Sequence, residues 1–159
     1  MEILLVRHGA ASWDTQTDIE RTLTAAGKTE ICAAAEWLTA SQWQPEELWV
    51  SPYKRAVESA EIFNRQWQLR PRIKSSLTPE TPLSELEAML ATFSGERLML
   101  VAHNPLLSNA INHWHGGDAQ SYWGMQTASM AMMQGDVFSQ ACASLQWLRH
   151  FPNYDHNGR

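Results

Sequence analysis

Three short, uninterrupted apolar runs constrain the fold of this chain more than any other feature. They cover residues 2–6, 47–51 and 97–103, and each is followed by a segment in which apolar residues recur at helical spacing. Continuous apolar runs of this length are typical of strands that are buried on both faces, as in parallel sheets. The alternation of strands and helices therefore predicts an α/β fold, a three-layer sandwich around a mainly parallel central sheet.

Residues that favour helix ends and turns separate these runs. Threonines and prolines stand where helices are expected to begin, and glycines stand where one is expected to end. The predicted elements are a helix over 25–40 capped by Thr24, a helix with Pro52 in its first turn, a minor strand over 72–76, a helix capped by Thr81 and opened by Pro82, a helix from near Pro105 to Gly116 and Gly117, and a hairpin of strands 127–133 and 142–149. No repeat or linker interrupts the succession, so we expect one domain over residues 1–159.

Charge and composition argue against several classes of protein. The formal net charge of −5 does not favour binding to nucleic acid, which normally needs a basic surface. No apolar stretch approaches the roughly 18 residues of a membrane span, and the first residues do not form a signal peptide. Cys32 and Cys142, the only cysteines, lack metal-binding spacing. We expect a cytoplasmic protein with reduced thiols, no metal and no cofactor, whose polar tail over 150–159 frays.

Polar residues with catalytic chemistry follow each of the three predicted strands. Arg7 and His8 end the first strand, and His103 and Asn104 end the third. The second leads through Ser51 and Pro52 to Arg55, about one turn into the next helix. Ligands of parallel sheets bind beyond the carboxyl ends of the strands, so two histidines and two arginines are expected to converge at one mouth.

This set of residue types suits phosphate chemistry. The guanidinium groups of Arg7 and Arg55 are planar forks that match phosphate oxygens, and the helix that begins near Asn104 adds N–H donors. A neutral imidazole at His8 can attack phosphorus and carry the phosphoryl group. Nearby arginines are expected to keep His8 neutral by lowering its pKa, while His103, when positively charged, could donate to the phosphoryl oxygens. Such a reaction needs no metal ion.

Three motifs of the chain resemble the signatures of a known superfamily. They read "VRHGAAS" at 6–12, "SPYKRAVES" at 51–59 and "VAHNPLL" at 101–107. In this order they resemble the histidine phosphatase superfamily, and within it the small bacterial phosphohistidine phosphatases. The likeness extends over about residues 1–110 and is looser in the hairpin.

The resemblance implies a phosphoglycerate-mutase-like fold with an antiparallel edge strand, and it implies a role for each matching residue. His8 would be the nucleophile that accepts the phosphoryl group, and Arg7, Arg55 and His103 would complete the phosphate pocket. Arg21 matches a family arginine near the pocket mouth. The implied reaction is metal-independent removal of phosphate from a phosphohistidine on a signalling partner, such as a histidine phosphotransfer domain. We expect the chain to be a monomer.

Two other functions stay open at this stage. Many superfamily members protonate the leaving oxygen with a carboxylic acid, and Glu80 is the candidate here, which would suit a small-molecule phosphomonoesterase. Alternatively, the chain could be a non-catalytic module that binds phosphohistidine. Only 48 positions separate Arg55 from His103, which leaves little room for a lid and predicts an open pocket. Asp14 and Asp18, in the loop after His8, are either plain loop acids or contacts of the substrate.

Overall fold

A six-stranded sheet forms the centre of the computed structural model, within the residues that it describes, 1–116 and 121–156. The strands lie in the order β3-β2-β4-β1-β5-β6. Their bounds are β1 Glu2–Arg7, β2 Glu47–Val50, β3 Arg72–Ile73, β4 Arg97–Ala102, β5 Met130–Gln134 and β6 Ser144–Arg149. β1 to β4 run parallel, whereas β5 runs antiparallel to both of its neighbours, β1 and β6. The mainly parallel sheet is confirmed, but the antiparallel strand β5 lies second from the edge rather than at the edge itself, which is formed by β6.

Helices cover both faces of this sheet. Their bounds are α1 Ala25–Ala40, α2 Lys54–Asn64, α3 Leu83–Leu90 and α4 Leu106–His115. Since side chains alternate along a strand, Leu4 and Val6 of β1 pack with α1 and α2, whereas Ile3 and Leu5 pack with α3 and α4. The three-layer sandwich is therefore confirmed, and its central strands are buried on both faces as their sequences indicate.

Neighbouring parallel strands bring the two histidine motifs together. β1 pairs directly with β4, and Arg7 is opposite Ala102 in the register. The residues that follow, His8 and His103, therefore leave the same edge of the sheet side by side.

Two predicted helix starts differ from those observed. The Thr24 hydroxyl accepts a hydrogen bond from the Gly27 N–H at 2.9 Å, as predicted for a cap. Thr81 does not cap α3, because its hydroxyl binds the Ser76 carbonyl and Thr78 in the preceding turn. As a result α3 begins at Leu83. Pro52 likewise precedes α2, which begins at Lys54.

The predicted strands beyond the central ones are shorter or shifted. β3 pairs with β2 over only two residues, rather than forming a strand over 72–76. The first hairpin strand begins at Met130 because Ala128 adopts a left-handed conformation with φ 56°, which interrupts extended backbone. Gly116, with φ 66°, ends α4 as predicted, while Gly117 lies outside the described residues.

The predicted fraying of the tail is wrong for residues 150–156, and 157–159 lie outside the described part. Tyr154 is only 4% exposed, and its hydroxyl donates to the Ala128 carbonyl at 2.9 Å. Asp155 accepts a hydrogen bond from the Trp37 indole at 3.1 Å. The polar composition of the tail does not predict that Tyr154 is buried. Its side chain packs in the apolar cluster that includes residues of α1 and α2.

Cys32 and Cys142 are both free. Among the described residues, no helix has the length and apolar character needed to cross a bilayer.

Candidate active site

Two buried histidines define the centre of the candidate site. His8 is 7% exposed and His103 is 1% exposed, and the centroids of their rings are 5.0 Å apart. His8 is reached directly from β1 and His103 from β4. The convergence that the strand ends predict is therefore present in the structure.

Hydrogen bonds assign the tautomer of His8. Its Nδ1 is 2.7 Å from the Gly9 carbonyl oxygen, which can only accept, so Nδ1 carries the proton. Its Nε2 then holds a lone pair, which accepts a hydrogen bond from Arg55 Nε at 3.1 Å. Burial, together with the charges of Arg55, Arg7 and Arg21, lowers the pKa of His8 to about 3. His8 is consequently a neutral imidazole that is protonated at Nδ1 and carries an electron pair at Nε2.

Arg55 contacts both His8 and the loop that follows β1. Its side chain is only 4% exposed, although it lies in the first turn of α2. Nη1 donates to the backbone carbonyl of Asp18 at 2.7 Å, and Nη2 donates to the Asp18 carboxylate at 3.1 Å. Three donors of the guanidinium group thus have acceptors in His8, in the Asp18 backbone and in the Asp18 carboxylate, and the positive charge lies beside His8 Nε2.

His103 is held by the end of β2. Its Nε2 is 2.6 Å from the hydroxyl of Ser51, and its ring packs on the Tyr53 ring with centroids 4.9 Å apart. Its Nδ1 is buried and has no hydrogen-bond partner among the described residues. Burial and the neighbouring positive groups lower the pKa of His103 to about 2. His103 is therefore a neutral imidazole as well, and one of its nitrogens is unengaged.

Arg7 and Asn104 share one backbone acceptor. Arg7 Nη1 and Asn104 Nδ2 both donate to the Met125 carbonyl at 2.7 Å. Asn104 Oδ1 accepts from the Ser108 hydroxyl at 2.8 Å, so both ends of the Asn104 amide are bonded within the protein. Arg7 Nε, in contrast, is buried without a partner in the described part of the chain. Burial, reinforced by Arg55, lowers the pKa of Arg7.

Arg21 and Glu80 are the two remaining residues of the predicted site. Arg21 donates to Asp18 at 3.0 Å and to the Ser12 carbonyl at 2.8 Å. Its guanidinium carbon is 3.4 Å from the centroid of the exposed Trp13 ring. Glu80 is exposed, and its charge adds to the effect of burial that raises the pKa of Tyr53. Arg21 thus connects to the histidines through Asp18 and Arg55, and Glu80 neighbours the Tyr53 side of the site.

Within residues 1–116 and 121–156, no group of three histidine, cysteine or acidic side chains is arranged to hold a metal ion. His113 and His115, two positions apart in α4, contact different groups of the protein. His113 lies 3.5 Å from Glu87, and His115 accepts a hydrogen bond from the backbone of Leu145 at 3.2 Å.

The sequence motifs do not predict every contact at this site. They indicate Ser51 only as the end of a strand, and they predict no role for Tyr53 or Met125. The position of Ser51 at a strand end, level with His8 and His103, was a usable signal. The acceptor at Met125 is a backbone carbonyl in a segment without periodicity. No pattern of side chains in the sequence could therefore predict its contacts with Arg7 and Asn104.

Comparison with known proteins agrees with the fold and with the motifs. Residues 3–79 match the model of the histidine phosphatase superfamily, branch 1. Over this segment, which carries the first two of the three motifs, the chain resembles the superfamily, and the likeness supports a phosphatase, a hydrolase. The resemblance that the three motifs indicate is therefore confirmed.

Within the superfamily, the chain resembles the phosphohistidine phosphatase SixA. It is 29% identical to SixA of Escherichia coli strain K12 over 116 residues, which cover 70% of this chain and 72% of the relative. The solved structure of the protein histidine phosphatase SixA complexed with tungstate superposes with a TM-score of 0.83 at 23% identity, covering 94% of this chain and 97% of the other. A mycobacterial glucosyl-3-phosphoglycerate phosphatase superposes with a TM-score of 0.70 at 18% identity, covering 91% and 96%. The phosphoglycerate-mutase-like fold is thus confirmed.

Proposed function

We propose that this chain is a phosphohistidine phosphatase that acts on a phosphotransfer-type signalling protein through a phospho-His8 intermediate. The observation that carries the proposal is the state of His8. Its Nε2 is unprotonated, and the electron pair there accepts a hydrogen bond from the buried Arg55 at 3.1 Å, which it exchanges for the bond to phosphorus. A nucleophile beside a fixed positive charge is the arrangement that phosphoryl transfer needs.

In the first step, the Nε2 electron pair of His8 attacks phosphorus. A new N–P bond forms, the P–N bond of the donor breaks, and the leaving imidazole takes a proton from solvent. Arg7 and Arg55 compensate the charge of the transferring oxygens. His103 is neutral, so we propose that it donates to a phosphoryl oxygen through Nδ1–H while Nε2 accepts from Ser51.

In the second step, water attacks phospho-His8 and releases inorganic phosphate. The electron pair of the breaking N–P bond returns to His8 Nε2, which regenerates the neutral imidazole. Both steps draw their positive charge from arginine side chains, so we propose a metal-independent reaction without a cofactor. Asn104 contributes by fixing neighbouring groups, since its amide donor is engaged with Met125. Arg21 is bonded to Ser12 and Asp18, and we propose that it donates to phosphate once its contact with the Asp18 carboxylate is released.

A protein substrate is favoured by the short connection between the catalytic segments. Only 48 positions separate Arg55 from His103, and the helices and strands among them are the rest of α2, β3, α3 and β4. An open pocket accepts a phosphorylated side chain presented by another protein more readily than it encloses a metabolite. The likeness to SixA, named as a phosphohistidine phosphatase, supports the same class of substrate. We propose that the protein acts in the cytoplasm as a monomer.

The decisive experiment compares two substrates. Release of phosphate is measured from a phosphohistidine-bearing phosphotransfer domain and from a generic phosphate monoester, with wild type, His8→Ala and His156→Ala. His156 is an exposed histidine in the C-terminal segment and serves as the matched control. We expect rapid release from the protein substrate, loss of that release in His8→Ala, and wild-type activity in His156→Ala. Full activity of His8→Ala would contradict the mechanism, and a phospho-His8 that never hydrolyses would indicate a non-catalytic binding module.

A small-molecule phosphomonoesterase is the second candidate, and the electrostatic effect of Glu80 on Tyr53 favours it. Tyr53 packs on His103, and the charge of Glu80 adds to the burial that raises the pKa of Tyr53, so Glu80 is the carboxylic acid to test. Glu80→Gln is compared with Glu85→Gln, an exposed glutamate on α3, using phosphate esters. A large rate loss confined to Glu80→Gln would favour this candidate, whereas equal rates support the phosphohistidine substrate, whose leaving group needs no enzyme acid.

A further inference from the structure

The Asp18 carboxylate lies between two arginines at the candidate site. Oδ2 is 3.1 Å from Arg55 Nη2, and Oδ1 is 3.0 Å from Arg21 Nη1. Nη2 of Arg55 is attached to the same carbon as Nε, which donates to His8 Nε2. The carboxylate therefore neighbours the position that a phosphoryl group on His8 Nε2 would take, and it presents two anionic oxygens to arginine donors as a phosphate does.

This contact is built so that it can be displaced. The Asp18 side chain is 49% exposed, whereas that of Arg55 is 4% exposed. Ion pairs with an exposed partner contribute little net stability, because water competes and the flexible side chain loses entropy. A phosphoryl group that bonds to His8 and carries more negative charge has more to gain from Arg55 than this carboxylate has.

The orientation of Arg55 does not depend on the Asp18 side chain. Arg55 Nη1 donates to the backbone carbonyl of Asp18 at 2.7 Å, and Nε donates to His8. The backbone carbonyl is retained when the side chain is substituted. Backbone and side chain of Asp18 thus have separable roles, since the first holds the guanidinium group and the second occupies one of its donors.

We propose that the Asp18 carboxylate is an autoinhibitory anion that competes with phosphate for Arg55 and Arg21. The proposal rests on the proposed function, because it concerns access to the same phosphate site. Free inorganic phosphate must displace the carboxylate using its own contacts alone. A phosphorylated side chain must displace the same carboxylate, so Asp18 lowers the affinity for both by the same factor. Free phosphate is the product of the reaction, and the carboxylate therefore favours its release.

The test measures binding of inorganic phosphate to wild type, Asp18→Asn and Asp14→Asn, by calorimetry and by competitive inhibition of monoester hydrolysis. Asp14 lies in the same exposed loop and bonds to Ser12 rather than to an arginine. Its substitution therefore removes the same charge without the contact. We expect Asp18→Asn to bind phosphate about three- to tenfold more tightly, in proportion to the loss of one or two exposed ion pairs. Asp14→Asn should stay within about twofold of wild type. Asp18→Ser, which also retains the backbone carbonyl, is expected to behave like Asp18→Asn.

Other outcomes are distinguishable. Equal or weaker phosphate binding by folded Asp18→Asn and Asp18→Ser would overturn the proposal and assign the carboxylate to support of Arg55. Equal tightening in Asp14→Asn would overturn it as well, because general charge would then explain the effect. Phosphate binding that is unaltered by Arg55→Ala would contradict the phosphate site itself and, with it, the proposed function.

Discussion

At the scale of single residues, Arg55 is the side chain that donates a hydrogen bond to His8 Nε2, and the proposed function makes the reactivity of His8 depend on it. Arg55 contacts His8 Nε2 through Nε and uses two further donors on Asp18. A lysine retains the charge but lacks the fork. We therefore expect Arg55→Lys to slow formation of phospho-His8 about 10²- to 10³-fold, measured in single turnover. Arg65→Lys, an exposed change just after α2, is the control, and a comparable loss there would contradict the specific role of Arg55.

The two buried histidines also make a prediction about stability and pH. The pKa is lowered to about 3 at His8 and to about 2 at His103. Below about pH 6.5, the ordinary value, the unfolded chain binds protons that the native state refuses. Stability is therefore complete above pH 6.5 and falls as pH is lowered toward those values, by on the order of 1 kcal/mol per pH unit for each group.

Urea unfolding at a series of pH values checks this linkage. His8→Gln should lose acid stability less steeply than wild type, because glutamine does not titrate. His156→Gln, which changes an exposed histidine, should retain the wild-type slope. An unchanged slope in His8→Gln would show that His8 is not held neutral in the native state.

At the scale of elements, the loop after β1 is pressed against the first turn of α1. A Cβ on Gly27 would lie 2.0 Å from the Ala10 carbonyl oxygen, and one on Gly9 would lie 2.5 Å from the Gly27 carbonyl oxygen. Both obstacles are backbone atoms, so they cannot rotate away. This close approach positions the Gly9 carbonyl oxygen, which accepts a hydrogen bond from His8 Nδ1–H.

We expect Gly27→Ala to lower the free energy of unfolding by roughly 1–3 kcal/mol through overpacking. We also expect it to lower kcat with a smaller change in KM, because the Gly9 carbonyl, whose hydrogen bond sets the tautomer of His8, moves. Gly124→Ala is the control, since a Cβ there would meet only the Tyr122 ring at 3.4 Å. Urea denaturation and steady-state kinetics give the two readouts. Gly27→Ala with wild-type stability would refute the tight packing.

The sequence predicts the elements of the sheet centre well, for a physical reason. β1 and β4 are buried on both faces, so their composition is apolar without interruption, and their ends carry the polar residues of the site. β3 and the C-terminal segment are less predictable because few local signals describe them. β3 forms only through pairing with β2. The Thr81 hydroxyl forms hydrogen bonds in the preceding turn instead of capping α3. Asp18 illustrates the same limit, since its contacts join a loop to α2 across 37 positions.

At the scale of the whole molecule, the C-terminal segment is connected to His8 through hydrogen bonds. The Ala128 N–H donates to the His8 carbonyl at 3.0 Å, and the Ala128 carbonyl accepts from the Tyr154 hydroxyl at 2.9 Å. Burial raises the pKa of Tyr154, and the charge of Glu30 adds to this, so the hydroxyl stays protonated and can donate. Residues near opposite ends of the chain thus support the same backbone segment.

We expect Tyr154→Phe to lower the free energy of unfolding by about 1–3 kcal/mol, because it leaves the buried Ala128 carbonyl without its partner while the ring still packs. Tyr122→Phe removes a hydroxyl from a side chain that is 64% exposed and should leave stability unchanged. Both variants are compared by urea unfolding. Since Ala128 adjoins His8 through its N–H, Tyr154→Phe should also reduce kcat at temperatures where the variant is fully folded. Equal stability of the two variants would mean that the C-terminal segment lies beside the site without supporting it.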